Sequence, residues 1–448
     1  MNIEKTALFE TVRPSKALAI MALPTIASQM ILLVYNLADT WFIGRTNNPY
    51  MIAASSLALT VYLATVALAN VFGVGGGSLM VRLLGEKKTD EARNVCSYSV
   101  FVAAVSAIVF SLLVLCFMTP LLRLLGASEN TILYGKQYVL TTTVIGGCPT
   151  VLAMCMPQLL RNAGYAKEAG IGVGIGSLLN ILLDPLFMFV LLPRGNEVLG
   201  AGIATMLSNV CSLAYFLLKY HRLREKTVLT IPHRFVRIEK EQLRALYTVG
   251  VPAAFAIFLF DLVTIVINRL TAAYGDIPLA ALGIVLKLER IPINVGLGVC
   301  LGMVPLVAYN YGSGNRKRLN QVLSLARIAI LAFSAACVLV FWFFASPIVA
   351  AFISDGETVL RGVSFLRGRC FSLPFMMVGY HIVNYMNAVD KGKISFLLAI
   401  VRHLVLIVPI MLVMNVLWGL QGLILSQLVA DFLNTIVSVA VFRRVAKS

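Results

Sequence analysis

The sequence predicts an all-α polytopic membrane protein of about twelve transmembrane helices, arranged as two six-helix bundles related by a pseudo-twofold axis along the membrane normal. Three observations support this prediction. The chain of 448 residues is 59% hydrophobic and only 13% charged, whereas soluble chains carry about 25% charged residues. Apolar stretches of about 20 residues, long enough to cross a hydrocarbon core as a helix, recur along its whole length. Finally, the motifs of the first half return in the second half.

Charged turns and turns rich in glycine or proline divide the apolar sequence into twelve predicted spans. The first six are predicted at 15–43, 52–80, 93–118, 131–160, 168–192 and 199–220. The second six are predicted at 243–270, 279–309, 318–345, 358–388, 393–415 and 419–441. The first span is longer than the hydrophobic region of a cleaved signal peptide, so we expect it to remain as a transmembrane helix.

The loops on the two sides of the predicted bundle differ in charge. Most Lys and Arg residues fall on the side that carries both termini and the basic loop 219–244. Because cytoplasmic loops are enriched in Lys and Arg, this side is predicted to be cytoplasmic. The net charge of +17 is therefore assigned to membrane orientation, and no nucleic-acid partner is expected.

The two halves of the chain share a pattern of glycines. The stretch VFGVGGGSLMVRLLGEKKTDEARN leaves span two, and GLGVCLGMVPLVAYNYGSGNRKRLN leaves span eight in the same manner. Gly75 aligns with Gly302 and Gly85 with Gly312, each pair 227 residues apart. Parallel repeats of this kind place a substrate cavity between two halves that share one orientation.

The repeat divides the chain into an N-terminal lobe at 1–220, a cytoplasmic linker at 221–244 and a C-terminal lobe at 245–448. The eight cysteines are scattered and form no C-x-x-C pair, so neither a disulfide framework nor a cysteine metal site is predicted. The sequence contains no Walker motif and no nucleophile–base arrangement. We therefore expect neither an enzyme nor a protein that needs an organic cofactor.

Two carboxylates lie within predicted spans of the N-terminal lobe. Asp39 is the only formal charge between Lys16 and Arg45, and helical rise puts it about 9 Å below Arg45. Asp184 lies in span five, about 15 Å below Arg194. A carboxylate at such depth costs a few kcal/mol unless it is paired or protonated, so both are candidates for function.

Other oxygen-bearing side chains are predicted at the same depth as these carboxylates. Asn180 and Asp184 are four residues apart and share a helix face, and Thr205 lies near the outer end of span six. Two adjacent carboxylates repel, so one should hold a proton or both should share a cation. A set of oxygen ligands suits H⁺ or Na⁺. Apart from this possible Na⁺ site, no metal site is predicted.

Two prolines are predicted to act as hinges. Pro24 lies inside span one and Pro185 follows Asp184 directly. Since proline cannot donate a helical hydrogen bond, we expect the helix to kink near Pro185 and to free carbonyl oxygens there.

Four features in this order resemble the multidrug and toxic compound extrusion (MATE) family along the whole chain: DTWFIGR at the end of span one, the glycine-rich end of span two, LLDPLF in span five and GAGIATMLSN in span six. The resemblance is to the prokaryotic, damage-inducible branch. It implies a secondary active antiporter of the prokaryotic plasma (inner) membrane. Such a protein exports cationic or amphipathic drugs in exchange for H⁺ or Na⁺, confers antibiotic resistance, and is expected here to be a monomer.

The resemblance also implies roles for individual residues. The ion-coupling set that matches the family's positions is Asp39, Asn180, Asp184, Thr205 and the carbonyl of Ala201. Candidates for lining a substrate cavity are Tyr35, Gln29 and Gln158 in the N-terminal lobe and Asp261, Lys287, Glu289 and Arg290 in the C-terminal lobe.

The C-terminal lobe departs from the family's other bacterial branch, which has a Glu in span seven and an Asp in span ten. Here Asp261 is displaced by one residue and span ten carries His381 instead of a carboxylate. Its four charged candidates can bind substrate, couple an ion or neutralise one another, and these alternatives stay open. Arg361, Arg367 and Arg369, on the less basic side, contradict the orientation rule and have no explanation from sequence.

Two further functions are alternatives to efflux. The wider superfamily includes flippases for lipid-linked oligosaccharides or cell-wall precursors, whose cavities carry several cations for the diphosphate. The few predicted mid-membrane cations and the acidic N-terminal lobe favour cationic substrates instead. A channel is disfavoured because no selectivity-filter repeat is present.

Overall fold

The computed structural model describes residues 3–46, 48–231 and 236–447, except for the side chains of residues 3–5, 257, 261, 446 and 447. The regular structure in these ranges is helical. In chain order, the α-helices are α1 (Ile3–Glu10), α2 (Pro14–Gly44), α3 (Pro49–Gly85), α4 (Thr89–Leu124), α5 (Ile132–Val139), α6 (Gly147–Asn162), α7 (Ala166–Pro185), α8 (Glu197–Leu223), α9 (Lys240–Ala272), α10 (Asp276–Gly312), α11 (Arg316–Phe343), α12 (Ala345–Ala350), α13 (Gly356–Cys370), α14 (Ser372–Ala388), α15 (Gly392–Ile400) and α16 (Val408–Lys447). Three π-helical segments continue α5, α7 and α15, at Leu140–Ile145, Leu186–Leu191 and Val401–Ile407 respectively.

The helices confirm the predicted all-α polytopic membrane fold. Nine helical stretches in the described ranges are long and apolar enough to cross a membrane, and the pair Ile132–Ile145 and Gly147–Asn162, bent by 55°, makes a tenth. Two features explain why this number is lower than the predicted twelve. Arginines in α13 make the stretch formed by α13 and α14 less apolar. The stretch Gly392–Val445 is one run of 54 residues, which would be about 80 Å long as a straight helix.

This long run is broken in its middle. Trp418 and Gly419 have non-helical backbone angles, and Gly419 has φ +56° and ψ −141°. A positive φ is readily adopted by glycine and rarely by other residues. Because the break falls between the predicted spans eleven and twelve, the single run supplies both of them.

Helix starts follow local chemistry. Pro14 and Pro49 occupy the first turns of α2 and α3, where a missing N–H is harmless. The Asn48 side chain accepts a hydrogen bond from Tyr50 N at 3.0 Å. α9 begins with a capping box between Glu239 and Gln242.

Glycines allow close contact between the two halves. α3 packs against α9, and α2 packs against α10. A Cβ on Gly75 would overlap the Leu246 carbonyl, and a Cβ on its repeat mate Gly302 would lie 2.6 Å from Ala22 Cα. The same small-residue contact therefore occurs twice, once in each repeat.

A second glycine pair lies at the pseudo-twofold axis. A Cβ on Gly85 would overlap the carbonyl of Tyr309, and a Cβ on Gly312 would overlap the carbonyl of Arg82. Arg82 and Tyr309 are themselves 227 residues apart. The contact is thus reciprocal, as a twofold relation requires.

The halves are joined on the side that carries the chain termini, called here the basic side. Arg82 Nη1 lies 2.9 Å from Asp390 Oδ1, and Gln242 Nε2 donates to Glu91 Oε2 at 2.6 Å. On the same side Ser78 donates to the Asn387 carbonyl at 2.6 Å and Tyr309 donates to Glu10 Oε1 at 2.7 Å.

The short helix α1 reinforces this closure. Phe9 is fully buried and stacks on Tyr309 with ring centroids 4.8 Å apart. Arg318 of α11 donates from Nε to the Phe9 carbonyl at 2.6 Å and from Nη2 to the Leu8 carbonyl at 3.1 Å. A cation at a helix C-terminus satisfies carbonyls that have no helical partner, so α1 ends against the C-terminal half.

The linker runs between Leu223, the last residue of α8, and Lys240, the first of α9. Residues 232–235 of this linker lie outside the described residues. The division of the chain at 220 and 244 stays a prediction.

Candidate functional site

The two carboxylates of the N-terminal half lie on α2 and α7, which pack against each other. Asp184 is fully buried, and Asp39 is partly buried. They are close enough to interact electrostatically. The structure therefore brings together the two acids that the sequence singled out.

Asn180 connects Asp184 to α8. When its amide nitrogen faces Asp184, this nitrogen donates to Oδ2 at 2.9 Å, and the amide oxygen accepts from Thr205 Oγ1 at 3.2 Å and from Thr205 N at 3.1 Å. Asn180 and Thr205 are each 2% exposed. Ala201, one turn before Thr205, is buried in the same helix.

One oxygen of each acid has no partner. Within the described ranges, Asp39 Oδ1 and Asp184 Oδ1 are buried without a hydrogen bond. A buried, unsatisfied carboxylate oxygen is costly in surroundings of low polarity. The pair is therefore arranged to gain free energy from a bound proton or a small cation.

Three tyrosines surround the acids. Tyr35 and Tyr138 each interact electrostatically with both carboxylates, and Tyr62 interacts with Asp39. The Tyr138 hydroxyl also lies against the Thr205 side chain. Tyr138 was missed by the sequence analysis, because nothing in its span marks it as facing α8.

A cavity of about 300 Å³ adjoins the acid pair within the N-terminal half. It lies between α2, α3, α6, α7 and α8, and Leu301 of α10 touches it from the other half. The predicted cavity residues Gln29, Tyr35 and Gln158 all line it. Its other polar lining side chains are Ser28, Tyr62, Asn70, Arg161, Ser177, Asn180, Thr205, Ser208, Asn209 and Ser212.

The cavity and the acid pair share three residues. Tyr35, Asn180 and Thr205 all line the cavity. Tyr35 interacts electrostatically with both carboxylates. Asn180 connects Asp184 to Thr205 through hydrogen bonds. Tyr62 and Asn70, which the sequence analysis did not select, are eight residues apart on α3. Polar residues at that helical spacing share one face, and this signal was available in the sequence.

The π-helical segments lie beside the buried polar groups. One begins two residues after Tyr138 and another begins two residues after Asp184. The third contains Arg402 and His403. π-Helical turns inside α-helices are rare and frequently occur at functional sites.

Pro185 is accommodated differently from the sequence prediction. The expected kink is replaced by a π-helical continuation, and Ala166–Leu191 forms one span. α2 likewise runs as one helix through Pro24. The hinge roles of Pro24 and Pro185 stay predictions.

The C-terminal half contains two buried ion pairs. Arg369 donates to Glu289 through Nε–Oε1 at 2.8 Å and Nη2–Oε2 at 2.9 Å, and these side chains are 4% and 7% exposed. Arg402 Nε lies 2.9 Å from Asp431 Oδ1, and Gln427 donates to Oδ2 at 2.6 Å. A second cavity, of about 60 Å³, adjoins both pairs.

The charged candidates of this half lie in different environments. Lys287 is exposed and is absent from the lining of the second cavity, whereas Glu289 and Arg290 line it. Among described residues Glu289 forms its ion pair with Arg369 and none with Lys287 or Arg290. Whether these charged residues bind substrate or couple an ion stays a prediction. The side chain of Asp261 lies outside the described residues, and its role stays a prediction.

The arginines that contradicted the orientation rule now have an explanation. Arg369 pairs with Glu289 inside the helix bundle. Arg367 donates to the Trp342 carbonyl at 3.0 Å, and Arg361 lies 3.7 Å from Glu357. Each therefore serves local structure.

Comparison with known proteins places the chain in a family. The MatE family model matches twice, at residues 24–186 and 252–413. The two matches are 228 residues apart at their starts and 227 at their ends, in agreement with the internal repeat. Together they cover well over half of the chain.

Curated relatives match along nearly the whole length. The Multidrug export protein MepA of Staphylococcus haemolyticus is 29% identical over 435 residues, which is 96% of this chain and 94% of the relative. The protein of the same name from Staphylococcus aureus is 28% identical over 433 residues, covering 97% and 94%.

Solved structures share the fold. A MATE crystal structure in complex with MaD5 superposes with a TM-score of 0.91 at 24% identity, covering 100% of this chain and 99% of that one. An outward-facing multidrug resistance MATE family transporter of the MOP superfamily gives 0.90 at 23% identity, with the same coverage. Since the relatives are named as export proteins, the prediction that the chain is not an enzyme is confirmed. The family predicted from the sequence motifs is confirmed as well: the chain belongs to the MatE family.

Proposed function

We propose that this protein is a secondary active multidrug efflux antiporter, which exports cationic and amphipathic compounds in exchange for inward H⁺ or Na⁺. One observation carries the proposal above the others. Asp39 and Asp184 form an acid pair with unpartnered buried oxygens, directly beside a cavity of about 300 Å³. The relatives named as multidrug export proteins support the transported class of compound.

The shared residues supply a physical route for coupling. Asn180 bridges Asp184 and Thr205 through hydrogen bonds. Binding of a proton or Na⁺ to the acid pair changes the hydrogen bond that Asp184 accepts from Asn180. Because Asn180 and Thr205 also line the cavity, such a change alters the surface that a substrate touches. Ion binding and substrate binding at this place are therefore linked, and linkage acts in both directions.

Charge favours a cation in this part of the cavity. The two carboxylates lie next to Tyr35, and the surrounding wall includes apolar side chains such as Leu32, Val66 and Met154. An amphipathic cation can place its apolar surface on this wall and its charge near the acids. Arrival of the coupling ion neutralises the acids and weakens that attraction, which favours release.

The fold supports alternating access. The halves are tied together on the basic side, and the excess of Lys and Arg assigns this side to the cytoplasm of a prokaryotic plasma membrane. On this proposal the joined side closes the cavity toward the cytoplasm, and both termini are cytoplasmic. Rocking of the two repeats, with Pro24 and Pro185 as flexible points, would expose the cavity to the cytoplasm in turn.

Ethidium efflux from liposomes that contain the purified protein tests the proposal. Either an imposed pH gradient or an imposed Na⁺ gradient should drive efflux, and the effective gradient identifies the coupling ion. Asp39→Asn and Asp184→Asn should abolish this driven efflux. Glu129→Gln is the matched control, because Glu129 is an exposed carboxylate with 82% of its side chain accessible.

Three outcomes would contradict the proposal. Gradient-driven efflux at wild-type rate in both Asp variants would exclude the acid pair as the coupling site. Absence of efflux under either gradient in the wild type would redirect the search to a flippase for a lipid-linked oligosaccharide. Proton flux without any counterflow of ethidium would instead indicate a channel.

A further inference from the structure

Arg161 is a buried cation to which the described residues supply no carboxylate. It lies in the last turn of α6, is 8% exposed and lines the cavity of the N-terminal half. Within the described ranges it makes no ion pair with a carboxylate, and its Nε is buried without a hydrogen bond. An arginine in a helix bundle normally pairs with an anion or with carbonyl oxygens.

Other buried arginines of the chain follow that norm. Each of them contacts a carboxylate or a row of backbone carbonyls: Arg82 with Asp390, Arg318 with the carbonyls of α1, Arg369 with Glu289, and Arg402 with Asp431. Arg161 differs from all four, so its charge is not explained by the packing of described residues.

The internal repeat gives a second argument. Aligning PQLLRNAGYAK with NYMNAVDKGK sets Asn162 on Asn387, and this places Met386 at the position of Arg161. The scaffold of the second lobe therefore forms with an apolar side chain at this point. A cation here is an addition to the N-terminal lobe and is not required by the fold.

Arg161 and the acid pair lie at opposite ends of the cavity. On α6, lining residues run from Ala153 to Arg161, a rise of about 12 Å along the helix. Arg161 is at the basic-side end, while Asn180 and Thr205, which adjoin Asp184, are toward the other end. The cavity is therefore negative at one end and positive at the other.

We propose that Arg161 binds an anionic group of the transported compound, so that the cavity accepts zwitterions, with the cationic group near Asp39 and Asp184 and a carboxylate at Arg161. This rests on the proposed function and narrows its substrate class. A guanidinium can hold a carboxylate through two parallel hydrogen bonds, and the amides of Gln158 and Asn70, joined at 2.7 Å, line the same cavity. A purely cationic compound would use the acid end alone.

A pair of dyes that differ at one group tests the inference. Rhodamine 110 has a free carboxylate and is a zwitterion, and rhodamine 123 is its methyl ester and a cation. Fluorescence anisotropy with purified protein gives the Kd of each. Arg161→Gln should weaken rhodamine 110 binding about tenfold, the loss of one charge-assisted contact, and leave rhodamine 123 within about twofold.

Two variants serve as controls. Arg161→Lys keeps the charge and should retain most of the affinity for rhodamine 110. Arg123→Gln removes an arginine that is 59% exposed and pairs with Glu129 on the surface, and it should change neither Kd. Thermal unfolding of each variant shows whether it is folded.

The outcomes separate this inference from the proposed function. Equal weakening of both dyes, or of neither, in folded Arg161→Gln would overturn it. If that variant does not fold, the wild type still decides: binding of rhodamine 123 more tightly than rhodamine 110 would overturn the inference, and the reverse order supports it. Failure of the wild type to bind or export either dye would instead count against the proposed function.

Discussion

The buried pair of Glu289 and Arg369 gives a sharp quantitative prediction. Glu289→Gln leaves the Arg369 cation without its anion in a site where the two side chains are 7% and 4% exposed. Removing one member of a buried ion pair typically costs about 3–5 kcal/mol, because the remaining charge is uncompensated. On the scaling known for domains of 150–250 residues, this corresponds to a fall in Tm of roughly 6–20 °C.

The reverse variant and the double variant complete the test. Arg369→Met should cost a similar amount, since it leaves the Glu289 anion buried. Glu289→Leu combined with Arg369→Met removes both charges, and replacement of a buried pair by apolar groups is often neutral or stabilising. We therefore expect the double variant to be within about 1–2 kcal/mol of the wild type, far from the sum of the single losses.

The assay is thermal unfolding of purified protein in detergent, followed by efflux from liposomes. Single variants that unfold within about 1 °C of the wild type, well inside the shift expected from a lost buried pair, would refute the reasoning. So would a double variant whose loss equals the sum of both single losses. If the double variant is stable and exports at wild-type rate, the pair is structural; if it is stable but inactive, the pair takes part in transport.

Three glycines yield the other predictions. Gly85→Ala and Gly312→Ala should each push α3 and α10 apart and lower export, because the new Cβ overlaps a carbonyl of the opposite helix. Gly283→Ala is the control, since a Cβ there would meet nothing within 4 Å, and it should keep wild-type export. Equal export in all three variants would argue against the reciprocal contact. Gly419→Ala should lower the free energy of unfolding by about 1–3 kcal/mol, the cost of a backbone region that is open essentially to glycine alone. An unchanged denaturation midpoint would show that the backbone at this break adopts another conformation without loss of stability.

The sequence predicted the depth of polar groups better than their partners. Asp39, Asp184, Asn180 and Thr205 were expected at one level, and the structure brings them together. Depth follows from helical rise and from the charged ends of each span, which are visible in the sequence. Whether these residues couple an ion stays a prediction.

Partners across helices were harder to predict. Glu289 was grouped with its sequence neighbours Lys287 and Arg290, but it pairs with Arg369 from another helix. A helix that is apolar all round gives little information about its rotation. Which face of α10 meets α13 was therefore hidden, as was the position of Tyr138 beside the acids.

The contact of α1 with the C-terminal half has a practical consequence. Opening of the basic side requires the carbonyls of α1 to leave Arg318 and Phe9 to leave Tyr309. Leu8 and Phe9, which are buried in this arrangement, would then become accessible to a protease. Under the alternating access proposed above, the rate of cleavage at this helix therefore measures how often the basic side opens, without any chemical label.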